Sequence, residues 1–467
     1  VQKQIKIFGA IILFNFLGVT TLYSFQVDDS IEVKSSSGTI YVGRIVLAGN
    51  ETTKDEVILR EMRTKEGKPL NVEVLERDLQ NIYNTGLFTK IDVTPVPLSN
   101  DSINLIITVE ESFYLIPVPQ GGIKEGDLDK IWAGLKVRWR NFRGMNETLG
   151  LSFGIFYEPF VNASYSNPWM GSDKYFLSTS IGYAQRYIHD IYYLPPGTIV
   201  DKDTVPKYSS ESFDVSGTFG RYINPNLSVS STVGYSLFHA EKFIEGRTLT
   251  PDGQDTYLSV RVSSNLDTRD LFSYPSNGAL GSLELTKYGF GNHINFNRFS
   301  IDARKYIPII PFDGYTIIFA SRVVNSISWG GNIPPYLKEQ FGYGETIRGW
   351  SGTVFEGDSK LGGFAEFRFP IIKPNYIEGK DIPLIKKISL LKNLSYKYGL
   401  YFTTFYDVGG VWDKKDNFFN TQFRSGYGVG LNAILPFNFV GRMDLCFSKR
   451  VRDEYYIELD FGLSASF

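Results

Sequence analysis

Thr148-Leu149-Gly150-Leu151-Ser152-Phe153-Gly154-Ile155-Phe156-Tyr157 repeats with a period of two. Leu149, Leu151, Phe153, Ile155 and Tyr157 fall on one face, and Thr148, Gly150, Ser152 and Gly154 on the other, because successive side chains of a strand point to opposite sides. A strand in a soluble sandwich presents charge on its outer face. A face of large apolar residues backed by small and polar ones suits a strand between hydrocarbon and a wet lumen. The pattern returns at Leu227–Leu237, Tyr315–Ile327 and Tyr455–Phe467. Counting such windows between turn signals gives about sixteen strands over residues 114–467, an even number as closure with both ends on one side requires. The expectation is a mainly β chain whose larger part is a transmembrane barrel.

The composition agrees with this reading. The 467 residues include 36 Phe, 29 Tyr and 45 Gly, an aromatic and glycine load that favours strands and turns over helices. A net charge of -2 leaves no electrostatic footprint for nucleic acid. Cys446 is the only cysteine, so neither an internal disulfide nor a cysteine-based metal cluster is available. His189, His239 and His293 lie far apart and flank no serine or carboxylate pattern; no nucleophile and base pair is readable, no cofactor is implied, and a non-catalytic role is expected.

At the amino end Lys3 and Lys6 precede an apolar run from Ile7 to about Val19, followed by Thr20, Thr21 and Ser24. This order reads as a secretory signal over residues 1–25, with a signal anchor as the competing reading. No other window holds eighteen apolar residues in a row, so any crossing of a bilayer must use strands.

Residues 27–113 have the rhythm of a small mixed domain. Tyr41–Leu47 alternates as a strand and Gly49-Asn50 is a turn. Thr52 or Thr53 is expected to cap a short helix carrying Val57, Ile58 and Met62. Val72, Leu75, Leu79, Ile82 and Tyr83 then recur on one face of a helix from about Val72 to Asn84, which Gly86 ends. Phe88–Thr94 and Ile103–Glu110 read as closing strands.

On Gly49-Asn50, Asn84-Thr85-Gly86-Leu87-Phe88 and Val109-Glu110-Glu111, this unit resembles a POTRA domain, the periplasmic module of the BamA and TamA superfamily. The resemblance implies that its edge strand pairs with passing chains. Here that edge is Phe88, Thr89, Lys90, Ile91, Asp92 and Val93, with Pro95 and Pro97 expected to stop the ladder. The alternative is a spacer domain that holds nothing.

The barrel region is similar to the same superfamily at six places in family order: Asn265-Leu266-Asp267-Thr268-Arg269-Asp270 with Pro275 and Gly278; the loop Phe341-Gly342-Tyr343-Gly344-Glu345-Thr346-Ile347-Arg348-Gly349-Trp350; Leu361-Gly362-Gly363 with Ala365-Glu366-Phe367-Arg368-Phe369-Pro370; Phe405-Tyr406-Asp407-Val408-Gly409; Arg424-Ser425-Gly426-Tyr427-Gly428-Val429-Gly430; and the closing Phe461 to Phe467. Short turns at Asn141–Gly144, Asn224–Asn226 and Pro436–Asn438 are expected on the periplasmic side. Longer connections at Arg186–Ser210, Ala240–Gln254 and Gly330–Lys360 are expected outside. Ile371–Lys397 is a long basic connection on the periplasmic side with no evident purpose.

Face parity supplies candidate residues. If Phe367, Phe369, Tyr406 and Val408 meet lipid, then Glu366, Arg368 and Asp407 point inward. The resemblance implies that Arg348 folds back inside to meet these carboxylates, with Gly349 allowing the tight turn and Trp350 pinning the tip. The loop at about 330–360 would thus be locked by Arg348, Glu366 and Asp407. Alternatively each carboxylate finds water or another cation, Arg368 or Arg424 among them.

Pro117 and Pro119 lie either in a first barrel strand or in the linker before it. In a strand they would remove two donors from one side, leaving a weak seam against the last strand, with Phe461 and Phe467 at its far end.

The function expected is assembly or translocation at a bacterial outer membrane, with the POTRA-like unit in the periplasm. The partners are membrane lipid, an unfolded or strand-forming client polypeptide and periplasmic or lipoprotein accessory factors. A solute channel and a structural or adhesive surface protein are the alternatives.

Overall fold

In the computed structural model, residues 34–462 are described apart from 36–37, 100, 124–127, 172–173, 190–193, 195–196, 202–204, 241–245, 273, 292, 313–314, 343, 384, 388–391, 393–394, 436–438 and 451–454. The expected signal over 1–25, the turn at 436–438 and Phe467 therefore lie outside the described residues.

The first unit contains β1 (Tyr41–Ala48), α1 (Asp55–Leu59), α2 (Val72–Asn84), β2 (Phe88–Pro97) and β3 (Ser102–Glu111). β3 is central, with β1 parallel on one side and β2 antiparallel on the other. α2 starts where Asn71 accepts the Val74 N–H, and it lays Leu75 and Ile82 on a core that includes Val57, Ile58, Leu105 and Ile107. Val72, expected on the same face, is exposed. Periodicity fixes the direction of a side chain but not where the partner surface ends.

Two local expectations are corrected. Neither Thr52 nor Thr53 caps α1. The cap position is Lys54, with no side-chain bond, and the helix stops before Met62, which is nonetheless buried. Pro95 and Pro97 do not stop the ladder either, for they pair with Leu105 and Ile103. Leu98 N–H donates to Ser102 O at 2.9 Å, which sets the hydrogen-bonding parity. The nitrogens of residues 91, 93, 95 and 97 therefore face away from β3, where prolines sacrifice no ladder bond.

The second unit is one antiparallel sheet of 16 strands in chain order. They are β4 (Leu115–Ile123), β5 (Ile131–Phe142), β6 (Glu147–Phe156), β7 (Phe160–Met170), β8 (Tyr175–His189), β9 (Lys207–Asn224), β10 (Leu227–Ala240), β11 (Gln254–Asp267), β12 (Gly278–Tyr288), β13 (Phe296–Phe312), β14 (Tyr315–Gly330), β15 (Ser359–Glu378), β16 (Ser395–Trp412), β17 (Arg424–Leu435), β18 (Phe439–Lys449) and β19 (Tyr455–Gly462). Leu151, Phe153 and Ile155 stand exposed on its outer face, as do Val229, Val233 and Tyr235, while Ser230, Ser263 and Asn432 are buried inside. Val408 shares the outer face with Tyr406 but is wholly covered by Val323 and Leu361, so it is shielded rather than bare.

Ile371–Lys397 is only partly a connection. β15 continues to Glu378 and pairs through Tyr376↔Lys397 and Glu378↔Ser395, so the β15–β16 hairpin extends past its neighbours toward the first unit. β17 meets β16 only from Gly399 onward.

Candidate functional site: a lumenal lock and two free strand edges

The loop between β14 and β15 turns back into the bore. Its strands Glu339–Phe341 and Thr353–Gly357 pair with each other, and Val200–Asp201 from the β8–β9 connection adds a third. Phe341, Ile347, Trp350 and Phe355 pack with Tyr306, Phe364 and Val411 of the wall, so the loop has an apolar core inside the barrel. Its flanks are held by charge. Glu345 lies 2.8 Å from Arg322 and 3.1 Å from Lys360, and Glu339 lies 2.8 Å from Arg298 and 3.0 Å from Lys360.

At the tip Arg348 is buried and uses both sides of its fork. Nε and one terminal nitrogen donate to Asp407 at 2.7 and 2.8 Å, and the other terminal nitrogen donates to Glu366 at 2.8 Å. The backbone N–H of Arg348 also reaches Asp407, at 3.2 Å. Planar, charge-assisted pairs of this kind are strong where water is excluded. The guanidinium lies 3.6 Å above the Phe405 ring. Gly349 turns the chain at φ 86°, and Trp350 donates its indole N–H to Ser425 O at 3.0 Å. A Cβ on Gly426 would stand 1.8 Å from Arg348 O, so the wall must be glycine there for the loop to approach. The structure thus brings Arg348, Gly349, Trp350, Glu366 and Asp407 into one cluster.

Three further members join it; Arg368 was expected as an alternative cation for the carboxylates, and the other two were not anticipated. Arg368 donates to Glu366 at 2.8 Å, so that carboxylate sits between two guanidiniums. Asp444 lies 3.7 Å from Arg348 and 3.0 Å from Arg442. Three arginines (348, 368, 442) face three carboxylates (366, 407, 444), so their formal charges balance. Inward parity on β18, opposite Gly430, was the signal that could have found Asp444. The third is Tyr274. The β11–β12 turn sends Tyr274 and Pro275 up from the periplasmic end, where Arg368 donates to Pro275 O at 2.9 Å and stacks 4.2 Å from the Tyr274 ring. Arg424, the other proposed cation, stays out of the cluster and bonds Gly197 O and Gln422.

Pro117 and Pro119 lie in β4, within the barrel and not in a linker. Arg140 N–H donates to Tyr114 O at 2.8 Å, and this pair continues the β4–β5 register. By alternation, residues 117 and 119 turn their nitrogens away from β5, toward the side where no strand is paired. β19 is the opposite edge of the sheet, and its described part contains Phe461. On its inner face the loop tip takes hold: Ser351 N–H donates to Glu458 at 3.0 Å and its hydroxyl to Asp460 at 2.7 Å.

The expected client strand, Phe88 to Val93, forms the first part of β2 at the sheet edge. Phe88 is buried; Lys90 and Asp92 are exposed and pair at 2.8 Å. The profile of the Omp85 superfamily domain matches residues 141–467, and the POTRA profile, described as surface antigen variable number repeat, matches residues 40–112. The chain belongs to the Omp85 superfamily.

Among relatives of this Omp85 chain, an outer membrane protein assembly factor BamA of Nitratidesulfovibrio vulgaris is 22% identical over 334 residues, covering 67% of the chain and 38% of the relative. The chain spans less than half the length of the curated relatives it matches. In fold it is similar to BamA from Haemophilus ducreyi lacking POTRA domains 1–3, with a TM-score of 0.54, 17% identity and 90% and 84% of the two chains covered. It is also similar to CdiB from Escherichia coli, with a TM-score of 0.59, 11% identity and 91% and 75% covered. The family places the barrel in a bacterial outer membrane and the POTRA domain in the periplasm.

The POTRA domain is docked on the barrel rim. Thr53 donates to Glu111 at 2.6 Å and accepts from Asn141 at 2.8 Å, and Lys54 N–H reaches Gly144 O at 3.0 Å. This is the use to which Thr53 is put in place of capping. Burial pushes the Glu111 carboxyl up, but the bonds from Thr53 and Thr52 outweigh that and hold it below the usual carboxylate range. Arg140 donates to Thr85 O at 2.8 Å, over Gly86, where a Cβ would meet the guanidinium at 2.5 Å.

Proposed function

We propose that this chain receives strand-forming polypeptides at the free edge of its POTRA domain and inserts or exports them through the barrel seam. One observation carries the reading: among the described residues the POTRA edge β2 and the barrel edge β4 are unpaired on their outer sides, and the first half of β2 keeps its outward backbone donors. Ile91 and Val93 turn their N–H groups outward from β2, the geometry by which an extended chain is added to a sheet. No nucleotide, metal or catalytic group enters this account. The free energy would come from folding of the client and transfer of its apolar face into lipid. Periplasmic accessory factors would approach from the same side, where the β15–β16 hairpin extends beside β2. The reading is consistent with the assembly role named for the BamA relatives.

A solute channel fits less well, because the loop core from Phe341 to Phe355 occupies the bore. The test is a photocrosslinker at Lys90 or Asp92 in living cells. It should trap newly made outer-membrane polypeptides; if it traps none, and deletion of residues 38–112 leaves outer-membrane assembly intact, the reading fails.

A further inference from the structure

We propose that an outward-facing cavity between the β16–β17 hairpin and residues 197–199 binds a saccharide unit bearing an acidic group. The cavity measures about 550 Å³ and is lined by Trp412, Asp416, Asn417, Thr421 and Arg424. That size admits one or two sugar rings. It lies at the end of the barrel opposite the POTRA domain, and its inner wall, at Ile199 and Val411, backs onto the core of the folded-in loop.

Arg424 stands apart from the other arginines of the barrel interior. The lumenal arginines Arg298, Arg304, Arg322, Arg348 and Arg368 each sit against a carboxylate. Arg424 has no carboxylate partner among the described residues. One terminal nitrogen bonds Gly197 O at 3.2 Å and Gln422 at 2.9 Å, and its buried Nε has no acceptor. Beside it the Thr421 side chain is more than nine-tenths buried, with its hydroxyl oxygen unpartnered. A partly buried cation without a counter-ion and a buried hydroxyl without a mate, both on one cavity wall, form a receptor for an anionic group that accepts hydrogen bonds.

The rest of the lining narrows the class. Asp416 repels a bare inorganic anion but accepts hydroxyl protons, and Asn417 adds an amide. Trp412 contributes aromatic surface, with its ring edge-on to Phe418 at 5.1 Å. A ligand that is hydroxylated, compact and singly acidic satisfies all of these together.

The test is calorimetric titration of the full chain in detergent with glucuronic acid, glucose and inorganic phosphate. Glucuronic acid should bind saturably and glucose at least about tenfold more weakly, the difference expected of one charge-assisted bond. R424Q should abolish the preference for the acid, and T421V should weaken binding several-fold while leaving the preference intact. Retention of the lumenal lock in each variant is checked by protease protection of the loop. Equal binding of glucose and glucuronic acid, phosphate binding as tightly as glucuronic acid, or no saturable binding of any probe overturns the proposal. So does an R424Q protein that keeps its lock and its acid preference.

Discussion

The two free edges, β2 of the POTRA domain and β4 of the barrel, share the same punctuation and use it differently. Each carries two prolines two residues apart whose nitrogens turn outward. In β2, Pro95 and Pro97 come after the segment that contains Ile91 and Val93, so one half of the edge can pair and the other cannot. In β4, Pro117 and Pro119 occupy the early part of a nine-residue strand at the edge of the sheet, so the poor half lies on the side that would have to meet β19. Spacing alone does not say whether an edge is meant to bind or to stay loose. What decides it is where the missing donors fall relative to the donors that remain.

The comparison can be broken most severely from the loop. If β19 is steadied from within by the loop tip while β4 is not, R348A should loosen only one side of the seam. Asp407 and Asp444 would lose their shared cation, at a cost of about 3–5 kcal/mol for a broken buried pair. The barrel should remain in the membrane, the loop should become cleavable by added protease, and assembly should fall at least about tenfold. R348K should not rescue it, since an ammonium cannot make both bonds to Asp407. Unchanged protease protection would remove the lock from the account.

The next effect sharpens the contrast by making β2 resemble β4. I91P with V93P removes the outward donors without touching a bond to β3. Crosslinking of clients at Asp92 should drop by about an order of magnitude, since each lost bond is worth about 1 kcal/mol. The POTRA domain should keep its circular dichroism. Undiminished crosslinking would mean that clients do not bind by strand addition here. The converse, P117V with P119V, restores two donors to the junction. Assembly should slow several-fold, and the barrel should resist heat denaturation in gels to a higher temperature; no change in either would show that the edge does not zip.

The smallest effect concerns how the two edges are held in relation to each other. Glu111 has a depressed folded pKa, so the docking it supports is complete above the ordinary carboxylate value of about 4.3 and is lost as the pH falls through the lower folded value. Hydrogen exchange of residues 143–146 should rise in that acid range, and E111Q should flatten the rise.

Much of this was legible in the sequence. Alternation at Thr148–Tyr157 and its repeats leads to a membrane barrel because period two, aromatic load and small inward residues all agree. Glu366 and Asp407 follow from parity alone. The partner of Arg348 on β18 was not found, because Asp444 sits in a run, Arg442-Met443-Asp444-Leu445, that carries no family motif. Tyr274 escaped because it lies in a turn, where neither period applies. The error over Pro95 and Pro97 came from reading proline as a stop without asking which way its nitrogen would face.

Arg368 is the hinge of a further consequence. It grips Glu366, to which the outer loop is bound, and Pro275, in the turn whose Asp270 carbonyl accepts from Asn84 of the POTRA domain at 3.3 Å. A continuous strut of bonded groups thus runs from the periplasm to the cell surface through the bore. If clients bind the module as proposed, load taken up below would be carried by these bonds to the loop above, coupling the two mouths of the cylinder.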